Sequence, residues 1–110
     1  MDRADWKQSE KKIARRVFDA ALAQEYERLL AETRRRAAAI DSREALWDLR
    51  DYLNEQAAEM DRKFDDRYSQ LIYVFGRLLH EKRIALDELQ GLDEGRLDDI
   101  RHFAGWLDRD

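Results

Sequence analysis

Histidine and carboxylate side chains are the groups that could carry catalysis or bind a metal, and their spacing suits neither. The only two histidines, His80 and His102, lie 22 residues apart, and the chain has no cysteine. A metal site on a helix needs histidine and carboxylate three or four positions apart on one face. Glu81 faces away from its neighbour His80, and the spacing of Asp98 and His102 is typical of a surface ion pair. The sequence therefore predicts no catalytic residue, no metal ligand, no cofactor and no enzyme.

A second group of residues has the spacing of a protein-binding surface. Four side chains share one stripe of a predicted helix, at positions i, i+3, i+4 and i+7: Trp47, Arg50, Asp51 and Asn54. Protein interfaces are enriched in tryptophan, tyrosine and arginine, so an aromatic anchor beside a guanidinium and a carboxylate is typical of a partner-binding patch. The alternative is that Trp47 belongs to a core or to a dimer interface.

Two basic clusters could bind nucleic acid, but their surroundings favour a solvated surface. The clusters are Lys11, Lys12, Arg15 and Arg16, and then Arg34, Arg35 and Arg36. Both run around the helix, and glutamates lie between them. The formal net charge is −4, whereas a nucleic-acid interface needs a basic stripe on a basic domain. A short helix followed by a longer one after Lys82 is similar to a helix-turn-helix, but the last helix is acidic where DNA contacts would fall.

The elements that must position these residues are helices. The chain has 110 residues, no proline and four glycines. Its first 75 residues contain neither of the two residue types that most often break helices. Helix formers dominate the composition, and 44% of residues are hydrophobic, which is enough for a core. The sequence predicts one all-α domain over residues 1–110. With no apolar run of membrane length and no signal peptide, we expect a cytoplasmic protein without a membrane span.

The first helix is predicted from near Ser9, its expected N-cap, to about Ala39. Thirty helical residues extend roughly 45 Å at 1.5 Å per residue, whereas a compact domain of this size has a radius of gyration of about 13 Å. Part of the helix must therefore project from the domain, with an apolar stripe that needs a partner.

The second helix carries Trp47 and, beside it, an apolar seam. Asp41 is the expected N-cap, and Glu44 would complete a capping box. The seam follows spacings of three and four residues: Leu46, Leu49, Leu53, Ala57, Met60 and Phe64. Such a seam packs against another helix, either within the chain or in a second copy. The first two helices thus predict a long antiparallel hairpin, a stem over residues 1–64.

A small helical head is predicted over residues 65–110. Asp65 or Asp66 is expected to cap a third helix that continues to about Lys82 and is apolar on all faces. Gly76 indicates the close approach of another helix, because glycine costs about 1 kcal/mol of helix propensity relative to alanine.

The end of the chain predicts two further helices in the head. Gly91 is expected to end a short helix that contains Leu86 and Leu89. Asp93 is then expected to cap a last helix that ends at about Leu107.

Several stretches of the chain resemble the cyanobacterial fluorescence recovery protein family. They are LWDLRDYL from Leu46, EMDRKFDDRYSQLIYVFGRLLHE from Glu59, and the pieces ELQGL and RLDDI that end at Ile100. The similarity covers roughly Ile40 to Ala104, and the first helix is similar in length and character. This resemblance implies an all-helical homodimer with a long stem and a small head. It also implies binding to photoactivated orange carotenoid protein, whose return to the resting state the family accelerates without a cofactor.

The resemblance further implies which residues bind the partner. The family's patch on the second long helix contains a tryptophan, a histidine, an aspartate and an arginine. Trp47 and Asp51 match the tryptophan and the aspartate, whereas Arg50 stands at the histidine position and Ala57 at the arginine position. The implied partner is the orange carotenoid protein or, because of these two departures, an unknown substitute in a bacterium that lacks it. The alternatives are a scaffolding helical dimer with no regulated partner and, less favoured, a small DNA-binding regulator.

Overall fold

The computed structural model describes residues 6–109 as an elongated arrangement of helices. The α-helices are α1 (Gln8–Ala38), α2 (Arg43–Lys63), α3 (Leu71–His80) and α4 (Glu94–Asp108), and 3-10 turns occur at Tyr68–Gln70 and Leu86–Leu89. The molecule measures 53 × 30 × 23 Å with a radius of gyration of 16.8 Å, against about 13 Å for a compact domain of this length. The predicted all-α fold and the projecting first helix are both confirmed.

Helix α1 belongs to two parts of the molecule at once. Its first half packs into the hydrophobic core of the head, and its second half runs beside α2. The buried core combines residues of α1 and the segment before it with residues of the head: Trp6, Ala14, Val17, Phe18, Ala21, Leu71, Val74, Phe75, Leu78, Ile84, Leu89, Leu92 and Ile100. The boundary between stem and head at residue 64 stays a prediction, but the packed head draws on α1 as well.

A buried carboxylate determines where α1 starts. The cap position is Lys7, so Ser9 lies inside the helix instead of capping it. Glu10 Oε1 accepts a hydrogen bond from Lys7 N at 2.9 Å, and its Oε2 accepts from Asp93 N at 2.8 Å and Arg96 Nε at 3.0 Å. Burial raises the pKa of the Glu10 carboxyl, but these hydrogen bonds outweigh it and hold the pKa below its ordinary value. Glu10 thereby ties the start of α1 to the start of α4.

Helix α2 starts one residue later than expected. Ser42 is the N-cap, and its side-chain oxygen accepts a hydrogen bond from Ala45 N at 3.0 Å. The predicted cap at Asp41 is therefore wrong, and Glu44 occupies the second helical position, where it cannot complete a capping box. Serine and aspartate cap helices about equally well, so residue type alone could not choose between neighbours. The predicted break near the end of α2 is confirmed, because Phe64 is its C-cap.

The start of α3 also differs from the prediction. Asp65 Oδ1 accepts from Arg67 N at 3.1 Å, and its carboxylate pairs with the Arg67 guanidinium at 2.6 Å. Asp65 therefore stabilises the loop before the 3-10 turn, and neither Asp65 nor Asp66 caps α3, whose first residue is Leu71.

The end of α3 lies at His80, two residues before the predicted end. Lys82 has a φ of 62°, and its N–H donates to Leu79 O at 3.0 Å. The next N–H, that of Arg83, donates to Leu78 O at 2.8 Å. Glycine is the usual residue at such a left-handed helix end. Because the residue here is a lysine, the sequence did not indicate that α3 ends at this point.

The close approach expected at Gly76 is confirmed. A Cβ at Gly76 would lie 2.6 Å from Phe103 Cδ2, 3.2 Å from Phe103 Cβ and 3.3 Å from the carbonyl oxygen of Ile100. The ring can turn, but the other two atoms move only if α4 moves. Gly76 therefore sets the distance between α3 and α4.

The predicted end of the short helix and the predicted N-cap of the last helix are both confirmed. Gly91 has a φ of 106° just after the second 3-10 turn. Asp93 caps α4, since its Oδ2 accepts from Gly95 N at 3.0 Å.

Replacing Gly76 by alanine is expected to lower the free energy of unfolding by up to about 2 kcal/mol, because overpacking costs about 1–3 kcal/mol and the gain in helix propensity returns only about 1 kcal/mol. The measurement is urea denaturation followed by circular dichroism. Gly105→Ala is the matched control, because a Cβ there meets no atom within 4 Å, and it should raise stability by up to about 1 kcal/mol. Equal effects at the two positions would contradict the close packing of α3 on α4.

Candidate functional site

Three of the predicted partner-binding residues form one exposed group on α2. The indole of Trp47 is 53% exposed, and the Arg50 Cζ lies 5.2 Å from its ring centroid. Arg50 Nε donates to Asp51 Oδ1 at 3.0 Å. Asn54 and Ala57 are exposed farther along the same stripe. The structure thus brings together Trp47, Arg50 and Asp51, which we call the Trp47 surface, with Asn54 and Ala57 extending it.

The Trp47 surface has the chemistry of recognition. Stacking of an exposed guanidinium on tryptophan contributes about 0.5–1 kcal/mol, and an exposed ion pair contributes about 0–1 kcal/mol. These contacts limit the orientations of Arg50, while its remaining N–H groups stay available for a partner's carboxylate or carbonyl. A large exposed indole beside an ordered arginine is a typical anchor for a protein interface.

The packing of α2 on α1 aims this surface outwards. The Arg36 Cζ lies 3.7 Å from the ring centroid of Tyr52, which holds the tip of the hairpin together. Tyr52, Leu49 and Met60 lie on the less exposed side of α2, and Trp47 lies about half a helical turn away from that side.

The predicted seam of α2 divides into buried and exposed members. Met60 is buried, and Leu49 and Phe64 are partly buried. Leu46 and Leu53 are exposed at 45% and 37%, although both are large and apolar. Two α1 side chains are exposed in the same way, Tyr26 at 49% and Leu30 at 50%. The stem therefore presents apolar side chains from both helices to the outside.

A cluster of charges joins α2 to the head and to α1. Lys63 is 7% exposed, and its Nζ lies 2.6 Å from Glu81 Oε1 and 3.5 Å from Glu25 Oε1. Arg77 Nε donates to Glu81 Oε2 at 2.9 Å, and the same guanidinium pairs with Glu59 of α2. We call these five residues the joint. A buried lysine is tolerated only with such partners.

The carboxylates of the joint are held in their charged form. Burial raises the pKa of Glu81, but hydrogen bonds from Lys63 and Arg77 outweigh it, and the pKa lies below its ordinary value. The pKa of Glu25 is lowered in the same way, where hydrogen bonds and charges of Arg28 and Lys63 outweigh burial. The carboxylates of the joint are therefore ionised at neutral pH.

No described part of the chain gathers the ligands of a metal. Residues 6–109 contain no group of three or more histidine, cysteine, aspartate or glutamate side chains placed to hold an ion. His80 pairs with Asp108, and Asp98 pairs with Arg101 rather than with His102. Within the same residues no helix is both long and apolar enough to cross a membrane.

An exposed aromatic group on the head was not predicted from the sequence. Tyr73 of α3 and Trp106 of α4 are 52% and 56% exposed, and both contact Phe103, at ring-centroid distances of 5.1 and 5.9 Å. The spacing of Phe103 and Trp106 was visible in the sequence, but their meeting with Tyr73 depends on how α3 crosses α4.

Comparisons with known proteins agree with this architecture. The sequence model of a family described as "photoprotection regulator fluorescence recovery protein" matches residues 6–104. The fluorescence recovery protein of a Synechocystis species is 36% identical over 101 residues, which cover 92% of this chain and 93% of that protein.

Solved structures give the same result in three dimensions. The fluorescence recovery protein of Fremyella diplosiphon superposes with a TM-score of 0.87 at 33% identity, over 92% of this chain and 99% of that one. The Synechocystis protein gives a TM-score of 0.85 at 35% identity, over 91% and 98%.

The contribution of the joint to stability should depend on pH. Glu81→Gln should lower the free energy of unfolding at pH 7 by about 1–3 kcal/mol, since Lys63 stays buried with one partner fewer. The folded pKa of Glu81 lies below the unfolded value of about 4.3, so its contribution is present above pH 4.3 and is lost as the pH falls through the folded pKa. The difference from the unmodified protein should therefore be constant near neutral pH and shrink as the pH is lowered below about 4.3 in urea titrations. Glu27→Gln, an exposed site on α1, is the control, and a pH-independent difference would contradict the ionised joint.

Proposed function

The chain belongs to the fluorescence recovery protein family of photoprotection regulators, and we propose that it is a non-enzymatic, homodimeric regulator that binds the orange carotenoid protein. The observation that carries the proposal is the Trp47 surface, an exposed tryptophan with an arginine and an aspartate ordered beside it. Trp47 and Asp51 are the residue types that the family places at these positions.

The mechanism follows from differential binding. A regulator without catalytic groups can change the rate or extent of a partner's transition only if it binds the partner's states unequally. The Trp47 surface would bind the photoactivated carotenoid protein, would bind the intermediate on its way back to the resting form more tightly still, and so would accelerate recovery. The apolar indole supplies most of the contact area, and Arg50 and Asp51 supply one donor group and one acceptor group that fix its orientation.

Two departures from the family's patch determine how strongly we expect the protein to act on the carotenoid protein. Arg50, at the family's histidine position, has a planar guanidinium with more N–H donors than an imidazole, so it can make a bidentate contact with a partner's carboxylate. Ala57, at the family's arginine position, can make neither an ion pair nor a bidentate hydrogen bond. We expect this chain to act on the carotenoid protein less strongly than a relative with the arginine.

The second copy in the dimer is proposed to cover the exposed apolar side chains of the stem. Leu46 and Leu53 of α2 and Tyr26 and Leu30 of α1 are each more than a third exposed. Covering a large apolar side chain removes from water an area worth about 1.5–3 kcal/mol. A self-complementary contact through this strip would be the two-fold arrangement usual for homodimers.

The dimer is tested by light scattering coupled to size exclusion at micromolar concentration. Two chains of 13.2 kDa should give a mass of about 26 kDa. Leu30→Glu should shift the mass towards a single chain, because it places a charge in the covered strip. Glu27→Gln is the control from a neighbouring exposed position. A monomer with the unmodified sequence would overturn the dimer without affecting the Trp47 surface.

The regulatory function is tested by mixing the protein with photoactivated orange carotenoid protein and following recovery in the dark by absorbance. The unmodified protein should accelerate recovery, Trp47→Ala should reduce the effect at least about tenfold, a loss of ~1.4 kcal/mol or more typical of a buried interface anchor, and Ala57→Arg should increase it. Asp99→Ala, exposed on α4 of the head, should leave it unchanged. If neither the unmodified protein nor Ala57→Arg has any effect, the carotenoid protein is not the partner.

A further inference from the structure

A basic groove on the head is left unexplained by the proposed function. It lies between the first half of α1 and the turn after α3, and its cavity volume is about 270 Å³. Apolar side chains form much of its lining: Val17, Ala20, Ala21 and Ile84. Arg16, Arg83, Gln24 and Glu88 complete it. The groove therefore combines an apolar floor with charged walls, and its sides come from two separate parts of the chain.

The two arginines of the groove have no ionic partner within the described chain. Among residues 6–109, every ion pair of 4 Å or less involves other cations, such as Arg15 with Asp19 and Arg96 with Glu10. Glu88, the one carboxylate of the lining, accepts a hydrogen bond from Ala85 N at 3.2 Å, within its own turn. The groove thus presents two guanidinium groups ready for an external carboxylate.

Two lysines add positive charge around the groove at positions where they destabilise the local backbone structure. Lys12 precedes Arg16 by four residues, a like-charge spacing that weakens a helix. Lys82 precedes Arg83 and holds a left-handed backbone with a φ of 62°, which glycine would adopt without steric cost. Two locally unfavourable choices at one surface indicate a role outside folding.

We propose that this groove binds an acidic amphipathic segment of a partner protein. An aliphatic side chain of the segment enters the floor beside Val17 and Ile84, and its carboxylates pair with Arg16 and Arg83. Lys12 and Lys82 extend the positive field along the segment. This binding is independent of whichever protein occupies the Trp47 surface, which lies near the far end of the stem.

The shape and charge of the groove favour a peptide over other anions. A cavity of about 270 Å³ with an apolar floor accommodates one or two aliphatic side chains, whereas phosphate binding would gain nothing from that floor. Nucleic acid requires an extended basic stripe, and here Asp87 and Glu88 limit the basic area on one side. A net charge of −4 also disfavours a long polyanion or an anionic bilayer.

The test uses a panel of fluorescein-labelled twelve-residue peptides that combine leucine and glutamate in several registers, with glutamine-for-glutamate and serine-for-leucine versions as references. Fluorescence anisotropy should show saturable binding of at least one acidic amphipathic peptide. Binding should weaken about tenfold, which is ~1.4 kcal/mol, in the Arg16→Glu/Arg83→Glu protein. Arg34→Glu, an exposed arginine of the stem, should bind as the unmodified protein does, and circular dichroism checks that all variants are folded.

Three results would overturn the proposal. They are no binding of any acidic amphipathic peptide, binding that is unchanged in Arg16→Glu/Arg83→Glu, and tighter binding of phosphatidylglycerol vesicles or poly-dT than of the peptides. The Lys82→Gly variant separates a binding role of Lys82 from a structural one, because stability and peptide binding should change in opposite directions. It should raise the melting temperature by a few degrees because the strained backbone is relieved, yet weaken peptide binding two- to threefold. Binding unchanged by Lys82→Gly would remove Lys82 from the site.

Discussion

A helix of 31 residues in a chain of 110 cannot be covered by the rest of that chain, and the architecture follows from this mismatch. The head encloses only the part of α1 that ends near Ala21. Beyond it, among residues 6–109, α1 packs chiefly against α2. The length of α1 therefore creates both the rigid stem and its exposed apolar side chains, and any function of the stem inherits that geometry.

Two polar clusters act together with the apolar core to fix how the stem meets the head. Glu10 ties the start of α1 to the start of α4, and the joint around Lys63 ties α2 to the end of α3. Buried ionic groups gain little net stability, because desolvation offsets attraction. They do penalise any arrangement that leaves a partner unpaired, so they define one geometry of α2 relative to the head. In this way charges far from Trp47 set the direction in which it is presented.

The sequence predicted what depends on spacing within one helix. The helical period placed Trp47, Arg50 and Asp51 on one face, and the absence of breakers predicted an uninterrupted α1. The sequence-based prediction was wrong at the N-caps of the first three helices, where several neighbouring residues could serve as the cap. It also missed the end of α3, because Lys82 adopts a left-handed conformation that is usual for glycine. It could not foresee contacts such as Glu10 with Arg96, since these depend on long-range packing.

The three tryptophans of the chain lie in three different environments. Trp6 is 4% exposed and stacks under the Arg96 guanidinium, whereas Trp47 and Trp106 are more than half exposed on the stem and the head. Indole emission shifts with the polarity around the ring, so each tryptophan is an intrinsic spectroscopic probe of one region. Single-tryptophan variants would separate melting of the core from events at either surface, without attaching any label.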